Sequence, residues 1–65
     1  MTIIVNGAPL DLAPGSLAAV LEALDYADAI VATAVNGEFV PAEERATTRV
    51  RDGDRLEILA PMQGG

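Results

Sequence analysis

Pro14-Gly15-Ser16-Leu17-Ala18-Ala19-Val20-Leu21-Glu22-Ala23-Leu24 is the stretch with a helical repeat, and the rest of the chain has to be arranged around it. Leu17, Val20, Leu21 and Leu24 recur at helical spacing and make one apolar stripe, while Ala18, Ala19, Glu22 and Ala23 cover the other side. Pro14-Gly15 breaks what precedes, and the Ser16 hydroxyl stands where it can accept a hydrogen bond from a free amide of the first turn. A core helix is therefore expected from residue 17 to residue 24. So short a helix is not stable alone and must bury its stripe against another element.

On both sides of it the sequence changes to strand patterns. Thr2, Ile3, Ile4 and Val5 are β-branched, and Asn6-Gly7, a pair that tolerates the positive φ of a tight hairpin turn, follows at once. Residues 9–12 are then the returning strand, with Pro9 marking an edge. Downstream, residues 30–35 are β-branched or small, Asn36-Gly37 repeats the hairpin signal, and Glu38, Phe39 and Val40 return. Residues 42–45 suit a single surface turn, and residues 48–50 a short edge strand. Asp52-Gly53-Asp54 makes a turn before Arg55, Leu56, Glu57, Ile58, Leu59 and Ala60, whose alternation fits a strand with one buried face. The expected fold is α+β, a mixed sheet packed on one main helix. Residues 1–60 form the domain, and residues 61–65, Pro61-Met62-Gln63-Gly64-Gly65, form a flexible tail.

With 65 residues the chain can hold one small core, and nearly all its apolar side chains are needed to stabilise that core. An independent enzyme with a deep pocket is not expected. Cysteine and histidine are both absent, which excludes disulfides, thiolate nucleophiles and the commonest ligands for zinc, copper and haem, so no metal site is expected. The net charge is −6, with ten acidic residues against four arginines, so nucleic acid is a poor partner. The acidic surface serves solubility or steers the chain toward a basic partner. No signal peptide or membrane-spanning run is evident, and a cytoplasmic location is expected.

The chemistry that remains lies in carboxylates, hydroxyls, arginines and the chain ends, and of these the C-terminal tail stands out. Gly64 and Gly65 have no β-carbons, so such an end can thread a narrow channel. A backbone carboxylate is a poor acyl group until it is joined to a nucleotide phosphate; the mixed anhydride is then open to a sulfur nucleophile.

Val35-Asn36-Gly37-Glu38-Phe39-Val40-Pro41, Asp52-Gly53-Asp54 before a strand, and the Gly64-Gly65 end together resemble the ThiS family of sulfur carrier proteins, which are ubiquitin-like β-grasp domains. The likeness covers the whole chain, with departures at Ala42 and Arg45, near where many members have a basic and an aromatic residue, and at Gln63. The resemblance implies that Gly65 is adenylated by a ubiquitin-activating-like adenylyltransferase of the ThiF type, which uses ATP, and is converted to a thiocarboxylate. The sulfur comes from a donor such as a cysteine desulfurase and goes to the thiazole ring of thiamine on a thiazole synthase of the ThiG type. Gly64 and Gln63 would enter the partner's active site behind Gly65. No stably bound cofactor is implied, and the free protein would be a monomer and a cosubstrate, not a catalyst. The same chemistry could serve molybdopterin or cysteine synthesis, or a ubiquitin-like protein modifier; a passive interaction module with an inert tail is a further reading.

Leu59, Met62 and Val40 are candidate partner contacts beside that tail. If Leu56 and Ile58 face the helix, Leu59 faces outward, free to dock or to cover a loop of its own domain. Phe39 and Tyr26, the two aromatics, are expected to pack in the core or on a sheet face, with an interface role for Phe39 as the alternative.

Overall fold

The computed structural model describes residues 1–60. The helical stretch forms α1 (Leu17–Ala23), and the Ser16 Oγ accepts from the Ala19 amide at 3.1 Å, the cap expected from its position. Leu17, Val20 and Leu21 are buried and Leu24 packs partly against them. The helix ends where Asp25 takes a left-handed conformation, with φ of 66°, and the Tyr26 amide returns to the Leu21 carbonyl at 2.8 Å. Glycine usually holds that place because it carries no side-chain penalty there, so an aspartate gave no stop signal in the sequence.

Beneath the helix lie β1 (Thr2–Val5), β2 (Ala8–Asp11), β4 (Ala32–Val35), β5 (Glu38–Val40) and β7 (Arg55–Leu59) in the spatial order β2-β1-β7-β4-β5. Neighbours pair antiparallel except β1 and β7, which are parallel, with Ile4 opposite Arg55 and Val5 opposite Leu56. The first and last strands thus meet at the centre. Ile3, Leu56 and Ile58 face the helix and join Leu17, Val20, Leu21, Val40 and Val50 in one core. This is the α+β arrangement expected from one amphipathic helix among two hairpins and a final strand, and it is the β-grasp fold that the resemblance implies.

The local expectations fare unevenly. Both Asn-Gly turns form, with all four residues at positive φ, and Pro9 does sit on an edge strand. Ala42–Glu44 is a single 3-10 turn, as expected. The strand expected from residue 30 begins only at Ala32: Ile30 is 84% exposed, and the Val31 carbonyl is taken by the Arg45 guanidinium at 2.6 Å instead of a strand partner. Residues 48–50 do not edge the main sheet; β6 (Arg49–Val50) pairs with β3 (Gly15–Ser16) in a separate two-stranded ribbon. Ser16 therefore closes a strand and caps a helix at once, and a two-residue strand leaves too little alternation to be read.

Val40 is buried, which corrects its place among the candidate surface contacts. The two-residue turn at Asn36-Gly37 sets Val40 opposite Thr33, and that pair faces inward. Thr33 is the buried polar residue there; its hydroxyl donates to the Val40 carbonyl at 2.9 Å and accepts from Arg45 Nε at 3.1 Å, so its burial leaves no orphan group.

The Asp52-Gly53-Asp54 turn is tied to β1: Asp52 Oδ1 accepts from the Thr2 amide at 2.7 Å and Gly53 donates to the Thr2 carbonyl at 2.8 Å. Asp54 accepts from the Arg51 amide at 2.8 Å and from Asn36 Nδ2 at 3.0 Å, and these bonds to its charged form hold its pKa below the ordinary value of 3.8. A depressed folded pKa adds stability that is present above the unfolded pKa and lost as pH falls through the folded one. A carboxyl-carbon NMR titration should therefore place the Asp54 midpoint below the ordinary value of 3.8. Asp54→Asn should remove the part of the acid sensitivity that appears below about pH 4.

Candidate functional site

Gly65, Gly64, Gln63 and Met62 lie outside the described residues, so the site is built here from the sheet that carries them. β7 is the central strand, and its alternation sends Leu56 and Ile58 into the core and Arg55, Glu57 and Leu59 to the face opposite the helix. Leu59 is 67% exposed, in the outward position expected for it. Ala60 follows, exposed, as the last described residue.

The neighbours of Leu59 on that face are set by register. Ala32 lies opposite Leu59, Ala34 lies opposite Glu57 on one side, and Phe39 is opposite Ala34 on the other. Because partners across a sheet share a face, these five residues meet on one surface. They line a shallow depression with two alanines as its floor and Leu59 and Phe39 as diagonal walls. Phe39 is 69% exposed, so it stands on the sheet face but not in the core. An aromatic and a leucine standing free on alanines form an apolar patch suited to contact with another protein.

Phe39 and Val40 are adjacent, so one of them had to face out, and the sequence carried a signal for which. Counting back from the Asn36-Gly37 turn pairs Val40 with Thr33 and Phe39 with Ala34. Thr33 looks like the outward member of its strand because it is polar, and this hid the true facing. Tyr26 is half-buried against the core, the packing role expected for it.

Among the described residues no group of three or more acidic, cysteine or histidine side chains is arranged to hold a metal ion. No helix among them is long and apolar enough to cross a membrane. The described part of the site is an apolar patch at the strand from which residues 61–65 continue, with Glu57 as the ionisable group beside it.

The family model of the ThiS family matches residues 3–65. The sulfur carrier protein ThiS of Escherichia coli (strain K12) is 35% identical over 66 residues, with the whole of both chains covered. The crystal structure of a thiamine biosynthesis protein (ThiS) from Geobacter metallireducens superposes with a TM-score of 0.86 at 36% identity, again over the whole of both chains. A solution structure from the same organism gives 0.82 at 35% identity, covering all of this chain and 88% of the other. Identity at this level, spread over the full length and accompanied by the same sheet and helix, places the chain in the ThiS family.

Proposed function

We propose that this chain is a sulfur carrier for thiamine biosynthesis, with the Gly65 carboxylate as its reactive group. The observation that carries the reading is the ThiS-family match, which runs through residue 65 and so includes Gly64 and Gly65. In the first step a carboxylate oxygen of Gly65 attacks the α-phosphorus of ATP and pyrophosphate leaves, giving an acyl-adenylate. In the second, the terminal sulfur of a donor persulfide attacks the acyl carbon and AMP leaves, giving an acyl disulfide; a thiol then attacks the donor-side sulfur, forming a disulfide with the donor and freeing the chain with one carboxylate oxygen replaced by sulfur. An adenylyltransferase related to ubiquitin-activating enzymes performs both steps with sulfur from a donor such as a cysteine desulfurase, and a thiazole synthase takes the sulfur into the thiazole ring. The chain is a cosubstrate of these enzymes, acts in the cytoplasm and is a monomer when free.

The reading is tested by incubating the chain with its cognate activating enzyme, ATP and a sulfur source and following its intact mass. The mass should rise by the difference between sulfur and oxygen, and an unchanged mass with a demonstrably active enzyme would refute it. Transfer to thiazole synthase, and not to a molybdopterin synthase subunit or to a lysine of another protein, separates thiamine supply from the other carrier and modifier roles.

Leu59 and Phe39, with Met62 following, form the contact face for the activating enzyme. Leu59→Asp should raise the KM for loading by about tenfold or more, because a charge placed in a desolvated contact opposes docking. Its melting temperature should barely move, since exposed positions typically change stability by less than about 0.5 kcal/mol. A KM equal to that of the unaltered chain would remove Leu59 from the interface.

A further inference from the structure

Both hairpin turns begin Val-Asn-Gly, and both asparagines use their side chains on the same strand. The first turn follows β1, whose ladder with β7 reaches only to Val5 opposite Leu56. Past that point β1 leaves the sheet, while Ile58 still has a backbone N–H and C=O on this side to satisfy. The Asn6 side chain supplies both partners: Oδ1 accepts from the Ile58 amide at 2.8 Å and Nδ2 donates to the Ile58 carbonyl at 3.2 Å. The Asn6 backbone amide also donates to the Leu56 carbonyl at 2.9 Å. One side-chain amide thus replaces the missing peptide group of a neighbouring strand. Asn36 clamps the other end of β7 in a related way: its Oδ1 accepts from the Arg55 amide at 2.9 Å, its backbone amide donates to the Arg55 carbonyl at 2.8 Å, and its Nδ2 donates to Asp54 Oδ1 at 3.0 Å.

The two clamps use the same residue type, each with two side-chain hydrogen bonds, at opposite ends of the strand. Asn36 holds β7 where it enters the sheet, and Asn6 holds it where it leaves, one residue before Leu59 and two before Ala60. We infer that Asn6 is a positioning residue for the transfer chemistry, acting through the Ile58 backbone to fix the point beside the docking face at which β7 ends and from which the chain runs on to Gly65. The inference rests on the carrier reading. Its force comes from lengths: an extended chain advances about 3.4 Å per residue, so release of Ile58 and Leu59 from the sheet would add about 7 Å of slack. Reaction geometry at an activated carbonyl is spoiled by about 1 Å. Opposite Leu59 the β4 ladder ends at Ala32, so with Asn6 gone the exit is held on the β4 side only, with the buried Ile58 side chain as its remaining anchor.

Asn6→Gly and Asn36→Gly test this as a matched pair, because glycine preserves the positive φ that both turns require and removes only the side-chain amide. Both variants should melt lower by similar amounts, and loading should be compared at a temperature where both are folded. Asn6→Gly should speed amide hydrogen exchange at Ile58 and lower the kcat of thiocarboxylate formation about tenfold, whereas Asn36→Gly should speed exchange at Arg55 and leave kcat near that of the unaltered chain. Equal loss of kcat in the two variants, or Ile58 exchange unchanged in Asn6→Gly, would overturn the positioning role while leaving the carrier reading intact. Failure of the unaltered chain to take up sulfur from an active enzyme would instead strike the carrier reading, and this inference with it.

Discussion

Leu56→Ala is expected to leave the chain largely unfolded at 37 °C or close to it. Leu56 is 0% exposed in the central strand, flanked by Val5 on one side and Val35 on the other and packed in one core with the helix stripe. Truncating a fully buried leucine costs about 2–5 kcal/mol, because the transfer energy is lost and the cavity left behind collapses only in part. A chain of this size is stabilised by only about 3–10 kcal/mol in all, so a single substitution here removes a large share of it. No disulfide restrains the unfolded state, since the described chain contains no cysteine. Leu59→Ala, three residues along the same strand, is the control: that side chain is already 67% exposed and its loss should cost less than about 0.5 kcal/mol. Urea unfolding of both variants decides the matter. A Leu56→Ala midpoint as high as that of Leu59→Ala would mean that the core is not centred on β7.

That contrast also shows which parts of the fold were legible. Strict alternation in Arg55–Leu59 and the three-four spacing of Leu17, Val20 and Leu21 are signals of burial with a period, and the structure follows both. The two Asn-Gly pairs are signals of backbone conformation, and both turns form. Where no period or special residue exists, the reading failed. β3 has two residues, Asp25 ends the helix without glycine, and Val31 is held out of the sheet by the guanidinium of Arg45, a contact between residues 14 positions apart. Val40 was misplaced at the surface because hairpin register, not side-chain polarity, decides facing, and Thr33 is polar yet buried. The clamps at Asn6 and Asn36 were hidden behind the turn signal itself, since one residue type serves both the positive φ and the side-chain amide. The proposed reactive end rests on residue type and on resemblance, and residues 61–65 lie outside what the structure describes.

Removal of Gly65 is expected to abolish sulfur loading while leaving the melting temperature of the domain unchanged. The two halves of this expectation have separate causes. Stability resides in the core of Ile3, Leu17, Val20, Leu21, Val40, Val50, Leu56 and Ile58, none of which is within six residues of Gly65, and a glycine has no side chain whose burial could contribute. Loading depends on where the carboxylate falls. Without Gly65 the carboxylate moves to Gly64, about 3.4 Å short of its former reach, while the contacts of Leu59 and Phe39 stay where the sheet holds them. A displacement of that size is several times the 1 Å or so that costs about 100-fold in rate, so loading should fall below detection. An alanine added after Gly65 moves the carboxylate the same distance the other way and adds a β-carbon at the acyl position; it should block loading as completely. Intact-mass spectrometry after incubation with enzyme, ATP and a sulfur source reads all three chains in one experiment. Sulfur gained by the shortened or the extended chain at the rate of the unaltered one would show that the carboxylate of Gly65 is not the group that carries it.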